Sequence, residues 1–114
     1  MKISSNGKLL KIFLNESDKF HNKPLHYVIL KKIKESNLAA AVVIKGIEGY
    51  ELNSDIHSAR ILRMSNDLPV IIEVIGSEER INSVIIMIEE FITTDLMMVL
   101  QDVNIIKYRK DNKN

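Results

Sequence analysis

The sequence contains no cysteine and no tryptophan, and aromatic residues make up only 5% of its 114 positions. Without cysteine, the chain can form no disulfide framework, thiol nucleophile or cysteine-based zinc site, which fits a reducing compartment. Because aromatic residues are scarce, the hydrophobic core has to be built from Ile, Val and Leu. The hydrophobic share of 46% is ordinary for a globular domain.

The chain also lacks long apolar runs and any imbalance of charge. Its longest apolar stretches, at 38–44 and 96–100, are far shorter than the roughly 20 residues of a membrane-spanning helix. Its first residues contain no apolar segment typical of a secretory signal. The net charge is +1, so nothing global favours nucleic acid or anionic lipid. We expect a cytoplasmic protein that is not inserted in a membrane and does not bind nucleic acid.

The length allows one domain over residues 1–114, with an ordered core at about 8–108 and loose polar termini. A domain of this size buries roughly 60–70% of the surface that its unfolded chain exposes, so one core is feasible without crosslinks. Hydrophobic patterning predicts strands at 8–14, 38–45 and 70–75, a helix at 24–37, a second helix from Ser77 to Ile92, and a last strand at 96–108. A bulge is expected in that last strand at Gln101 and Asp102.

The two helices have the clearest periodicity. In the first, Leu25, Val28, Ile29 and Ile33 follow the i, i+3, i+4 spacing of a core-facing stripe. Pro24 suits the first helical turn, and Asn22 is a candidate N-cap. The second begins with Ser77 as its cap and acidic residues in its first turn, where the helix dipole favours negative charge.

The order of strand, helix, strand, strand, helix, strand predicts an α+β fold, a ferredoxin-like βαββαβ sandwich. Its four-stranded antiparallel sheet would have both helices on one face. However, the strands are apolar at successive positions, as in LAAAVVI and LMMVL, whereas a sheet covered on one face alternates. Burial of the second face against copies of the same chain is the simplest explanation, so we predict a homo-oligomer.

The segment GIEGYELNSDIHSARILRM is longer than a hairpin loop of about 2–5 residues. Gly46 and Gly49 permit positive φ and close approach of a phosphate or carboxylate to backbone N–H groups. However, GIEG is not a Walker loop, and a plain turn also explains the two glycines.

Arg60 and Arg63 can form bidentate hydrogen bonds with an anion or pair with nearby acids, and both interpretations stay open. His57 can sense pH, but a lone histidine is a poor metal site.

Glu16 and Ser17 follow the first strand in a polar cluster that a ligand could use, although exposed loop acids are more often only solvated. His57 and Ser58 are adjacent, and neighbours rarely have the geometry of a nucleophile and its base. We therefore predict no catalytic residue, no metal and no resident cofactor.

Several strings together resemble the PII-like family catalogued as Domain of Unknown Function 190. The strings are GIEG at 46–49, HSARILR at 57–63, DLPV at 67–70, ESD at 16–18 and KPL at 23–25, and the resemblance covers about residues 8–108. It implies a ferredoxin-like PII fold, a trimer and no known enzymatic activity. PII proteins sense adenine nucleotides and metabolites in clefts between subunits. They report to transporters, channels and enzymes through a mobile loop after strand two, here at about 50–66.

One departure from classical PII proteins concerns their glycine-rich, lysine-containing phosphate loop before the last strand. This chain has Thr93, Thr94, Asp95 and Leu96 there, with neither glycine nor lysine, so the resemblance does not extend to the classical mode of ATP binding.

We expect a trimeric regulator that binds a small anionic effector, with an adenine nucleotide as candidate, and acts on a partner such as a membrane transporter or channel. The predicted ligand-binding residues are Glu16, Ser17, Gly46, Gly49, His57, Arg60 and Arg63. The alternatives are a small enzyme that uses His57 at the same cleft and a purely structural oligomeric module.

Overall fold

The computed structural model describes residues 1–49, 67–93 and 95–110. The elements, in chain order, are β1 (Lys2–Asn15), β2 (Lys19–Phe20), β3 (Lys23–Pro24), α1 (Leu25–Ser36), β4 (Ala40–Lys45), β5 (Pro69–Gly76), α2 (Glu78–Ile88) with a short 3-10 turn (Glu89–Phe91), and β6 (Met97–Tyr108).

Four strands form one antiparallel sheet in the order β4-β5-β1-β6, and β2 and β3 form a separate hairpin. At its centre, Ile12 of β1 lies between Ile72 of β5 and Met98 of β6. Both helices pack on the same face as these residues. The predicted ferredoxin-like sandwich is therefore confirmed, and the β2–β3 hairpin is an addition to it.

The core lies between this inner sheet face and the two helices. It consists of twelve buried aliphatic side chains: Leu10, Ile12, Leu14, Leu25, Ile29, Ile33, Val70, Ile72, Val74, Ile81, Val84 and Ile88. Full burial of one such side chain stabilises the fold by roughly 1.5–3 kcal/mol. The core is thus built from Ile, Leu and Val without aromatic side chains, as the composition predicted.

The helix ends follow local chemistry. Pro24, with φ −57°, precedes α1, and Asn37 ends it in the left-handed conformation with φ 55°. Asn22 is not the cap of α1, because it has φ 66° in the turn of the β2–β3 hairpin. Ser77 caps α2 as predicted, since its hydroxyl accepts a hydrogen bond from the Arg80 N–H at 3.3 Å.

Two predictions about the sheet were wrong. The amino terminus is not loose, because β1 already begins at Lys2. The last strand, β6, has no bulge, because its pairing with β1 runs unbroken past Leu9–Gln101 and Lys8–Asp102.

Residues 2–7 and 103–108 pair only with each other in the described chain, since β5 ends opposite Lys8. We call this two-stranded extension the arm. Residues 2–7 gave no hydrophobic pattern, but backbone hydrogen bonds to the predicted strand at 103–108 do not need one.

The sheet face turned away from the helices is apolar. Residues that lie directly opposite each other on neighbouring strands point to the same face of the sheet. Pairing therefore places these apolar side chains on it: Leu9, Phe13, Val42, Ile44, Ile71, Ile75, Met97 and Val99. At its centre, Lys11 Nζ lies 3.8 Å from Glu73 Oε2. We call this surface the open face. It explains why the strands do not alternate between apolar and polar residues.

Candidate functional site

Three strands begin or end together at one end of the sheet, which we call the loop edge. β1 ends there at Asn15, opposite the start of β5 at Pro69, and β4 ends at Lys45, opposite Val70. The candidate residues Glu16 and Ser17 follow β1, and residues 46–49 follow β4. The antiparallel register thus brings four of the seven predicted ligand residues to the same edge.

Asp67 joins the end of β1 to the start of β5. Its carboxylate accepts two hydrogen bonds from Ser17: one from the backbone N–H at 2.8 Å and one from the hydroxyl at 2.5 Å. The Glu16 N–H also donates to the Leu68 carbonyl at 2.8 Å. Hydrogen bonds to an ionised acceptor are stronger than neutral ones, so Asp67 fixes where Ser17 sits.

Lys45 joins the end of β4 to the end of β1. Its Nζ lies 2.5 Å from Glu16 Oε2. Because both side chains are partly exposed, with accessible fractions of 56% and 37%, the pair contributes about 0–1 kcal/mol to stability. The arrangement places one cation and one carboxylate side by side, and a charged ligand can replace either partner of this ion pair.

Gly46 and Gly49 are needed for close packing rather than for a left-handed backbone. Neither has a positive φ, so that part of the prediction was wrong. A Cβ on Gly46 would lie 2.7 Å from Pro69 Cγ, and one on Gly49 would lie 3.1 Å from the same atom. The Gly46 N–H donates to the Pro69 carbonyl at 2.8 Å. Both glycines are therefore packed closely against Pro69, and the predicted contact of an anion with their backbone N–H groups stays a prediction.

The remaining predicted site residues lie outside the described residues. These are His57, Arg60 and Arg63, which belong to the segment 50–66 between β4 and β5. At the position of the classical phosphate loop, Thr93 and Asp95 are exposed and Leu96 packs against the core, while Thr94 is also outside the described residues.

A second group of charges lies at the opposite edge, where the arm leaves the sheet. Lys8 Nζ donates to the Asp102 carboxylate and lies 3.7 Å from Glu78 Oε1. The hydrogen bond to Asp102 is the main reason why the pKa of Lys8 is raised, with smaller electrostatic contributions from Asp102 and Glu78. This cluster ties β1 to β6 and to the first turn of α2.

Within residues 1–49, 67–93 and 95–110, no three His, Asp or Glu side chains converge as a metal site would require. In the same part of the chain, neither helix has the length and apolar character needed to cross a membrane.

Comparison with known families supports the resemblance that the motif strings indicated. The model of the DUF190 family, described as an uncharacterized ACR, matches residues 7–105. The chain belongs to the DUF190 family. A UPF0166 protein of Methanocaldococcus jannaschii is 37% identical over 101 residues, which cover 89% of this chain and 93% of that protein. A UPF0166 protein of Aquifex aeolicus is 36% identical over 74 residues, which cover 65% of this chain and 70% of that protein.

Solved structures of PII-like proteins share the fold of this DUF190 chain. Apo CPII from Thiomonas intermedia, a nitrogen regulatory PII-like protein, aligns with a TM-score of 0.63 at 13% identity, over 95% of this chain and all of CPII. CPII bound to ADP, AMP and acetate aligns with a TM-score of 0.62 at 11% identity, over 90% and 91% of the two chains. A PII-like signaling protein from Thermus thermophilus has a TM-score of 0.58 at 16% identity, with 90% of each chain covered. The PII-like fold implied by the resemblance is thus confirmed.

Proposed function

We propose that this DUF190 protein is a trimeric PII-like regulator. In this proposal, a small anionic effector, with an adenine nucleotide as first candidate, binds in the clefts between subunits next to the loop edge. The segment 50–66 then reports occupancy to a partner such as a transporter or channel. The family membership and the PII-like fold support the class of protein, and the open face supports its assembly.

The observation that carries the proposal is the exposure of the open face. Val42, Ile44, Ile75 and Met97 are 51%, 44%, 42% and 54% exposed. Val42 and Ile44 lie on β4, Ile75 lies on β5 and Met97 lies on β6, and Leu9, Phe13 and Ile71 connect them across the face. Among the described residues, the face contains one ion pair, between Lys11 and Glu73. A contiguous apolar patch of this kind marks an interaction surface. Copies of the chain that pack through it would remove these side chains from water.

The loop edge borders the open face, which supports an effector site at the subunit boundary. Ile44 of the open face directly precedes Lys45, and Phe13 lies opposite Met97, the first residue of β6 at this edge. A ligand lodged there would meet Lys45 and Glu16. Since residues 93–96 contain neither glycine nor lysine, we assign the cationic contacts to Lys45, Arg60 and Arg63. The adenine nucleotides in CPII make this ligand class the first to test.

A thermal-shift screen of ADP, AMP and ATP tests the effector. A nucleotide present at 100 times its Kd stabilises the protein by about 2.7 kcal/mol, which raises the Tm of a domain of this size by several degrees. Arg60→Ala should abolish the rise. Arg80→Ala, an exposed arginine in the first turn of α2, is the matched control and should keep it. An unchanged Tm with every adenine nucleotide would refute the nucleotide as effector.

A further inference from the structure

A cavity of about 260 Å³ lies on the helix side of the molecule, between the β2–β3 hairpin and the outer surface of α1. We call it the hairpin cavity. It is lined by Phe20, His21, Lys23, Tyr27, Lys31 and Phe91, with Val28, Lys32 and Glu35 completing the wall. None of the candidate effector residues of the loop edge belongs to this lining, so its chemistry needs a separate explanation.

One wall of the hairpin cavity is aromatic and firmly held. The Phe20 ring meets Phe91 edge-on, with centroids 5.0 Å apart and planes at 89°, and it meets His21 at 4.2 Å and 80°. Phe20 and Phe91 also pack against the core. Edge-on ring pairs of this kind are favourable beyond their area of contact. In a chain with few aromatic residues, this clustering gives an apolar wall that is already formed.

The hairpin that carries this wall is fixed by its turn and by α1. His21 and Asn22 both have positive φ, at 50° and 66°, which is the backbone of the tight two-residue turn that matches the twist of a hairpin. The N–H of Leu25, the first residue of α1, donates to the Asp18 carbonyl at 2.8 Å. This hydrogen bond closes the base of the hairpin where it joins α1, so the wall that carries Phe20 and His21 is anchored to the helix by the backbone.

The rim of the hairpin cavity is cationic. Three lysines, Lys23, Lys31 and Lys32, surround it against the single carboxylate of Glu35. Across the described chain, the ion pairs involve Lys8, Lys11 and Lys45 instead. The rim therefore has a net positive charge that its own side chains do not neutralise.

We propose that the hairpin cavity binds a small organic anion built on an aromatic ring, such as an aryl phosphate or aryl carboxylate. The ring would lie against the aromatic wall of Phe20 and Phe91 with Tyr27 beside it, and the negative charge would face Lys31 and Lys32. The volume of about 260 Å³ is slightly below that of typical ligand pockets, about 300–1,000 Å³, and therefore suits a small ligand of one or two rings. Because the cavity lies on the helix side, assembly through the open face leaves it accessible. This site is separate from the effector cleft at the loop edge.

The direct test is a titration of the nitrogen-15-labelled protein with phenyl phosphate, followed by amide chemical shifts. Phenol and inorganic phosphate serve as probes that keep only the ring or only the charge. We expect saturable shifts at residues 20–35 and around Phe91, and an affinity for phenyl phosphate at least about tenfold higher than for either part, a difference of about 1.4 kcal/mol. Equal affinity for inorganic phosphate, no saturable shifts, or shifts confined to residues 15–18 and 45–49 would overturn the proposal.

Matched variants on α1 test the charge. The double substitution Lys31→Gln with Lys32→Gln should weaken phenyl phosphate binding by about tenfold or more. Lys34→Gln, at an exposed position of the same helix outside the cavity lining, should leave binding unchanged. All these side chains are exposed, so the variants should fold, and amide spectra confirm this. Equal effects of the two variants, or an unchanged affinity of the double variant, would contradict the assignment. Adenine nucleotide binding at the loop edge should be unaffected, so failure here is distinct from failure of the proposed function.

Discussion

At the level of single residues, the loop edge is held by charged groups on segments that are far apart in the chain. Asp67 binds Ser17 across a separation of 50 residues, and Lys45 pairs with Glu16. The sequence predicted Glu16 and Ser17 as candidates because polar residues cluster after a strand. Lys45 and Asp67 were missed, because their role depends on partners that only the folded sheet brings near. The DLPV string was the one available signal for Asp67.

Asp67→Ala should lower the free energy of unfolding by about 1–2 kcal/mol, because two hydrogen bonds from Ser17 lose their acceptor. Chemical denaturation measures the change. Asp95→Ala, at an exposed position that precedes β6, is the control and should stay within about 0.5 kcal/mol of the wild type. Losses of equal size in the two variants would show that Asp67 does not hold the loop edge.

The pairing of Lys8 with Asp102 predicts a pH dependence at high pH. Because the hydrogen bond to Asp102 raises the pKa of Lys8 in the folded chain, its contribution to stability is complete below the pKa of an unfolded lysine, about 10.4. That contribution is lost as the pH rises through the higher folded value. The Tm gap between wild type and Asp102→Asn should therefore be constant from about pH 7 to about pH 10 and shrink above that. Thermal melts across this range measure it, and a gap that closes at neutral pH would contradict the pairing.

At the level of helices and strands, the structure separates what periodicity can predict from what it cannot. The stripe of Leu25, Ile29 and Ile33 is buried as the 3.6-residue period indicated. The strand at 103–108 was predicted, but its partner at 2–7 was missed, because KISSNG has no hydrophobic alternation and pairs with residues about 100 positions away, as between Ser4 and Asn104. The β2–β3 hairpin was missed because its strands have two residues each. Its signal was Asn22, a residue type that tolerates the left-handed backbone of a tight turn.

Gly7, where the arm joins the sheet, should not tolerate a side chain. A Cβ there would collide with Ile105 Cδ1 and would lie 2.7 Å from the Gly76 carbonyl oxygen, which is part of the backbone. We expect Gly7→Ala to destabilise the protein by about 1–3 kcal/mol, as overpacking does, with a lower midpoint of urea denaturation. Gly49→Ala meets only Pro69, with Cγ at 3.1 Å, and should cost less. A Gly7→Ala variant as stable as the wild type would show that the arm is not packed as described.

At the level of the whole molecule, the open face is an apolar surface that the fold of the single chain does not use. The twelve core residues lie between the inner sheet face and the helices, and the apolar residues on the other face add nothing to that core. The sequence predicted this surplus from strands that fail to alternate. The identity of the ligand could not be predicted, because the cationic candidates lie on a connection whose partners the local pattern does not specify.

Val42→Asp should dissociate the proposed oligomer, because it places a carboxylate on the apolar open face opposite Glu73, and a buried carboxylate without a partner is costly. Ile86→Asp is the matched control: Ile86 is 69% exposed on α2, on the helix side of the sheet, and the variant should keep the mass of the wild type. Light scattering coupled to size-exclusion chromatography measures both. A wild-type monomer, or an unchanged mass of Val42→Asp, would refute assembly through the open face.

An effector that binds between subunits needs the assembled oligomer, so binding and assembly should be lost together. Isothermal titration of ADP into wild type and into Val42→Asp, with Ile86→Asp alongside, tests this directly. We expect saturable binding to wild type and Ile86→Asp, and loss of binding in a folded but dissociated Val42→Asp. Binding of equal affinity to the dissociated variant, or no binding of any adenine nucleotide to the wild-type oligomer, would contradict an intersubunit effector site.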